Sequence, residues 1–203
     1  MYDDIIIGVL VSGRGTNLQS IIDSIEDGRL NAEIGIVISD NPEAKALDRA
    51  EKYDLNNTYI GKEDFATTAD YEARMVEVLE ENEVELVAMA GFMTFLSSYF
   101  IDQYRNRIMN IHPSLLPAFP GPNAQEQALD YGVKISGCTV HFADEGIDSG
   151  PVILQEAVPV LEGDTVESLS RRILAEEHRI YPKAIQLFAN GRLVVKDGKV
   201  EIL

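Results

Sequence analysis

The chain is short of bases, of cysteine and of histidine, and each shortage closes off a class of function. Lys and Arg number 17 against 34 Asp and Glu, a formal net charge of −17. Nucleic-acid affinity depends on Lys and Arg neutralising phosphates, so this surface disfavours a polyanion, and an acidic membrane with it. One cysteine, Cys138, allows no intramolecular disulfide, and with three histidines no structural zinc cluster is expected. No apolar run approaches the roughly 20 residues of a membrane span. Met1-Tyr2-Asp3-Asp4 lacks the basic stretch of a signal peptide. Repeats, low-complexity segments and an obvious linker are missing too. The expectation is a soluble, cytoplasmic, metal-free protein of 203 residues, long enough for one well-buried core.

What is present reads as alternating strands and helices. Ile5-Ile6-Ile7-Gly8-Val9-Leu10-Val11 is a short apolar, β-branched run of the kind buried on both faces of a parallel sheet. A turn, Ser12 to Asn17, leads into Leu18, Ile21, Ile22 and Ile25 at helical spacing, with Gly28 as a stop. Strands follow near residues 34–38, 58–60 and 86–90, with helices near 43–52 and 68–81. The second half differs. A strand over 107–112 enters a proline-rich loop, 113–122, and a short helix occupies 124–131. Strands near 135–142 and 151–159 flank an acidic loop. Asp164 with Glu167 looks like a capping box for a long amphipathic helix that Pro182 should kink or interrupt. Asp197-Gly198 signals a terminal hairpin. The fold class is α/β: a Rossmann-like, mostly parallel sheet with helices on both faces, mixed strands in the C-terminal half and a C-terminal hairpin. It reads as one domain, 1–203, with a phosphate-binding half (about 1–100), a catalytic half (about 101–190) and the hairpin (191–203).

Three places could carry chemistry. Gly13-Arg14-Gly15-Thr16-Asn17 lies between a strand and a helix, where free N–H groups and the helix dipole favour an anion against Gly15, Thr16 and Asn17. No Gly-Lys-Ser/Thr follows, and Leu18 stands where a dinucleotide fingerprint needs its third glycine. Asp40 mimics the ribose-binding acid of such folds. The plainer alternative is a turn that simply needs glycines, with Asp40 capping the next helix. In Asn110-Ile111-His112 the two polar residues share a strand face. An amide beside an imidazole can polarise a carbonyl and move protons, the needs of acyl transfer; alternatively both merely satisfy loop backbone. Asp148, between Gly146 and Gly150, could orient His112 and favour its cation, or lie solvated. Cys138 reads as buried packing and His141 as solvated. No Gly-x-Ser-x-Gly elbow is present, which counts against a hydrolase of that kind.

Taken in order, Ser12-Gly13-x-Gly15-Thr16-Asn17-Leu18, Ala90-Gly91-Phe92-Met93, Asn110-Ile111-His112-Pro113-Ser114-Leu115-Leu116-Pro117, Gly137-Cys138-Thr139-Val140-His141-Phe142 and Asp148-x-Gly150-Pro151 resemble the phosphoribosylglycinamide formyltransferases, the folate-dependent glycinamide ribonucleotide transformylases of purine synthesis. The resemblance runs from Ile7 to about Arg192, and Glu177-His178-x-x-Tyr181-Pro182 belongs to it. It implies formyl transfer from 10-formyltetrahydrofolate to the amine of glycinamide ribonucleotide, without a metal. Asn110 and protonated His112 would stabilise the oxygen of a tetrahedral intermediate, and Asp148 would hold His112 cationic and help move the amine proton. Gly15, Thr16 and Asn17 would bind the phosphate and Glu177 the amine end. Folate contacts would fall to Phe92, Met93, Thr94, Phe95, Leu96, Ile108 and Asn110, with Ala143, Asp144 and Asp148 from the acidic loop.

The chain departs from the family pattern at Thr94, where relatives usually carry arginine, between Lys62 and Arg74, where no base occurs, and at Asn123, often histidine. Rival readings remain. A methionyl-tRNA formyltransferase needs a further domain and an RNA-compatible charge. A formyltetrahydrofolate hydrolase resembles a longer chain with an N-terminal regulatory domain. A non-enzymatic nucleotide-binding module would use the glycine turn alone. Partners are then small molecules, neither nucleic acid nor membrane, with monomer and homodimer both open.

Overall fold

A computed structural model describes residues 4–203, so most of the amino-terminal stretch judged against a signal peptide lies outside the described residues. Two compact units are present, 1–109 and 110–203. The first contains β1 (Ile5–Val11), α1 (Thr16–Glu26), β2 (Ala32–Ser39), α2 (Lys45–Lys52), β3 (Asn57–Tyr59), α3 (Thr68–Glu81), β4 (Leu86–Met89) and α4 (Ser98–Gln103). Its strands are parallel, in the order β3-β2-β1-β4. In β1 the side chains of Ile7, Val9, Leu10 and Val11 are all inaccessible, which is why the run is apolar throughout rather than alternating. The chain leaves β1 toward β2 and β3 and returns to β4 on the other side. The loops after β1 and β4 therefore meet at a reversal of strand order, where α/β sheets place ligands.

Ser12 ties these strand-end loops together. Its N–H donates to the Gly91 carbonyl (3.1 Å), its hydroxyl accepts from the Met93 N–H (2.8 Å), and its carbonyl accepts from the Asn41 amide (3.1 Å). Asn41 also delays the second helix: its side-chain oxygen takes the Glu43 N–H (3.0 Å), holding a turn where a helix start was expected, so α2 opens at Lys45. The short α4 was not foreseen. Its cap, Ser97, is held by the fully buried Glu72 of α3, which accepts the Ser97 N–H (2.7 Å) and hydroxyl. No local pattern announces a helix capped from 25 residues away.

β5 (Ile108–His112) carries the chain into the second unit, which adds α5 (Ala124–Tyr131), β6 (Ile135–Phe142), β7 (Val152–Pro159), α6 (Val166–Ala189), β8 (Leu193–Lys196) and β9 (Lys199–Ile202). β6 and β7 pair antiparallel, with Cys138 opposite Glu156. Here α6 packs on β6 and β7 and buries Leu169, Ile173, Ile180, Tyr181, Ala184 and Ile185. That face carries the helix through Pro182 without interruption. Apolar burial of this extent outweighs the few kcal/mol an interior proline costs. The helix cap is Thr165 in a reciprocal pair with Ser168, not Asp164 with Glu167. Asp164 is drawn instead into a two-point ion pair with Arg172 (2.8 and 2.9 Å), and hydrogen bonding to that guanidinium holds its carboxyl well below the usual range. Asp197 and Gly198 both take positive φ, the hairpin turn expected between β8 and β9. The α/β class, parallel first half, mixed later strands and terminal hairpin thus agree with the sequence reading.

Candidate active site

The second unit gathers its polar residues around one carboxylate. Asn110 and His112 leave β5 on the same side, and Asp148 meets both. One Asp148 oxygen lies 3.2 Å from His112 Nδ1 and accepts the Gly121 N–H (2.8 Å). The other accepts from the Asn110 amide (3.3 Å) and lies 3.6 Å from His141 Nε2. Asp148 stands at φ 49°, a left-handed conformation that Asp tolerates better than most residues. Its loop turns on Asp144, which accepts the Gly146 N–H (3.1 Å) and the Ser149 hydroxyl (2.7 Å). Gly150 closes the loop, since any Cβ there would lie 1.9 Å from the Phe142 carbonyl oxygen.

The loop after β5 completes the setting. His112 Nε2 lies 2.9 Å from the carbonyl oxygen of Phe119, a residue itself at φ 52°. Thr139 of β6 anchors this loop: its hydroxyl donates to the Ser114 carbonyl (2.7 Å) and accepts the Leu116 N–H (3.0 Å). Gln155 of β7 adds a bond to the Leu116 carbonyl (2.8 Å). Strand-bound side chains therefore fix the segment that supplies Phe119 and Gly121.

Electrostatics at this centre pull in opposite directions. Burial raises the Asp148 carboxyl, but the bonds with His141 and the Gly121 N–H and the charges of His112 and His141 outweigh it and hold the group at about 2. Burial lowers the His112 imidazole below its ordinary value, against the Phe119 carbonyl and Asp148 and with the help of His141. Burial thus works against the cationic His112 implied by the resemblance, and Asp148 and the Phe119 carbonyl work for it. Its two nitrogens face two acceptors, which only a doubly protonated ring can satisfy together. His112 therefore gains a hydrogen bond whenever it takes a proton.

Other candidates stand apart from this cluster. Burial, and the nearby charge of Glu177, push the Cys138 thiol up to about 12, so the packing role read from sequence fits and a thiolate role does not. Glu177 is buried on α6. In the first unit, Gly15 caps α1 at φ 70°, with Thr16 half-buried and Asn17 buried behind it. Phe92 and Ile108 are core residues, whereas Met93 (75% exposed) and Phe95 (67%) stand open; Leu96 is half-buried. Thr94 donates its hydroxyl to Asp40 (2.7 Å). Asp40 therefore does not cap α2; one of its oxygens is taken by Thr94 and the other is buried without a hydrogen-bond partner among the described residues. Burial and the charge of Asp40 push the neighbouring Tyr71 phenol well above its ordinary value.

The formyl transferase family model matches residues 6–185, nearly the whole chain. The chain belongs to the formyl transferase family. It is 39% identical to the phosphoribosylglycinamide formyltransferase of Bacillus subtilis, over 88% of this chain and 91% of that one. It is 45% identical to a part of the human trifunctional purine biosynthetic protein adenosine-3, covering 96% of this chain but spanning only about a fifth (19%) of that protein. The solved glycinamide ribonucleotide transformylase 1 of Symbiobacterium toebii superposes with a TM-score of 0.98 at 52% identity, over 100% of this chain and 96% of that one. The Bacillus subtilis and Symbiobacterium toebii proteins bear the names of formyl-transferring enzymes.

The residue of this formyl transferase that sequence reasoning placed wrongly is His141. Strand alternation sets it opposite Cys138 and Val140, on a face taken as solvated; in fact both faces of β6 are covered and His141 is 2% exposed. Its Nδ1 donates to the Phe142 carbonyl (2.9 Å), and its Nε2 lies 3.2 Å from the Asn110 amide nitrogen and 3.6 Å from Asp148. Cys138-Thr139-Val140-His141-Phe142 alternates apolar and polar residues, so no local signal marked His141 as buried. Replacing His141 with Phe is expected to lower kcat by about 10-fold, with KM values nearly unchanged, by releasing the Asn110 amide. Steady-state rates with melting curves alongside check this; an unchanged kcat in a folded variant would remove His141 from the site.

Proposed function

We propose that this enzyme transfers the formyl group of 10-formyltetrahydrofolate to the amine of glycinamide ribonucleotide in purine synthesis. The observation that carries the reading is the single carboxylate, Asp148, shared between Asn110 and His112. The amine nitrogen attacks the formyl carbon and the carbonyl π pair moves to oxygen, giving a tetrahedral intermediate. Asn110 and the cationic form of His112 stabilise that oxygen. His112 reaches it when Nε2 exchanges the Phe119 carbonyl for the substrate oxygen. Asp148 offsets the imidazolium charge of His112 and assists transfer of the amine proton, through water, toward N10 of the folate. When the carbonyl re-forms, the bond from carbon to N10 breaks and N10 takes the proton.

The ribonucleotide phosphate is assigned to Gly15, Thr16 and Asn17, and the amine end to Glu177. Exposed Met93 and Phe95 suit a flat pterin, as in the folate contacts implied by the resemblance. Leu18 at the third glycine position disfavours a dinucleotide module. In the test, purified enzyme is given glycinamide ribonucleotide and 10-formyltetrahydrofolate, and loss of the formyl group from folate is followed. The expected result is turnover that stops when the amine is withheld. Deformylation at an undiminished rate without the amine would favour a hydrolase and overturn the reading.

A further inference from the structure

With a net charge of −17, the enzyme needs a local means of holding an anionic substrate, and the first unit contains an arginine placed for it. Arg49 of α2 reaches the glycine turn. Its Nε donates to the Arg14 carbonyl (2.9 Å) and its Nη1 to the Gln19 side-chain oxygen of α1 (2.8 Å). Both acceptors are neutral, and among the described residues no carboxylate pairs with Arg49. In a chain with twice as many acids as bases, this guanidinium keeps its charge uncompensated beside the turn.

Peptide geometry makes the contact directional. In a trans peptide the carbonyl and the N–H point opposite ways. The Gly13 carbonyl accepts the Ala46 N–H of α2 (3.1 Å), so the Arg14 N–H faces away from α2. The Arg14 carbonyl accepts from Arg49, so the Gly15 N–H faces away as well. Thr16 begins α1 and has no earlier helical carbonyl to bond. Among the described residues none of these three N–H groups donates to a protein acceptor. A charged donor on the Arg14 carbonyl also polarises the peptide and strengthens its N–H as a donor. Gly15 is locked into this arrangement, because a Cβ there would lie 2.7 Å from Ala46 Cβ and 3.2 Å from Arg49 Cδ.

We propose that Arg49 is a positioning residue for substrate phosphate: it aims the Gly15 N–H and adds positive potential beside the turn. The inference rests on the reading that this turn takes the phosphate. It is tested by steady-state kinetics of wild type, Arg49→Met and Arg49→Lys with glycinamide ribonucleotide and with the dephosphorylated ribonucleoside. Arg49→Met is expected to raise KM for the ribonucleotide about 10-fold, with kcat and the KM for the formyl donor nearly unchanged, and to leave the ribonucleoside parameters as in wild type. Arg49→Lys keeps the charge but cannot serve both acceptors in the same fork geometry, and is expected to raise the same KM about threefold. If Arg49→Met does not fold, the lysine variant carries the test. Equal losses on both substrates would mark a structural role only and overturn the inference. Wild type that prefers the ribonucleotide, with variants that keep the full preference, would overturn Arg49 alone. Wild type indifferent to the phosphate would overturn the phosphate assignment itself, and Arg49 with it.

Discussion

Replacing His112 with alanine is expected to lower kcat for formyl transfer by about 1000-fold, with both KM values within about threefold of wild type. One well-placed donor to a developing oxyanion is worth about 100- to 1000-fold. Among the described residues its nitrogens meet the Phe119 carbonyl and Asp148, so the loss falls on chemistry rather than on substrate binding. Asp148 keeps the Gly121 N–H and the Asn110 amide as partners, so the variant is expected to retain the fold. Initial rates at saturating substrates, with circular dichroism as a control, decide the matter. A folded His112→Ala enzyme with wild-type kcat would sink the mechanism.

Asp148→Asn tests the other half of the centre, with an expected fall in kcat of about 100- to 1000-fold. Asparagine tolerates the positive φ of this position and can still accept the Gly121 N–H, so the change removes charge more than shape. The same variant has a pH signature. The Asp148 carboxyl sits at about 2, against 3.8 ordinarily. A carboxyl depressed on folding adds stability above its unfolded value and loses it as the pH falls through the folded one. Wild type is therefore expected to lose about 2 kcal/mol between roughly pH 4 and pH 2 that Asp148→Asn does not lose. His112, lowered by burial, acts earlier and in the same sense: protonation of the unfolded chain below about pH 6.5 draws stability away. Urea midpoints over this range measure both. Parallel curves for the two proteins would show that Asp148 gains nothing from its neighbours.

Much of this was legible because it depends on short-range periodicity. Ile5 to Val11 announces a doubly covered strand, and the two-residue spacing of Asn110 and His112 puts both on one side of β5. The family motifs supplied Asp148, which spacing alone could not bring to His112. Contacts made by distant chain segments left no such trace. Ser97 caps a helix through Glu72; His141 turns inward because β6 is covered on both faces; Arg49 reaches back 35 residues to the Arg14 carbonyl. Phe119 enters the site through its backbone carbonyl, which no side-chain pattern encodes. Pro182 misled for a related reason: its local penalty is visible in sequence, whereas the packing of α6 that overrides it is not.

The hydrogen bond between Thr94 and Asp40 bears on how this sequence can vary. The resemblance implies an arginine where Thr94 stands, and a change to arginine here alone would not restore a free positive charge. The new guanidinium would meet Asp40, form an ion pair and be neutralised on the spot. Only with Asp40→Asn would it face outward as a cation. A neutral hydroxyl at 94 thus suits the acid at 40, and an arginine at 94 keeps a usable charge only where that acid is gone.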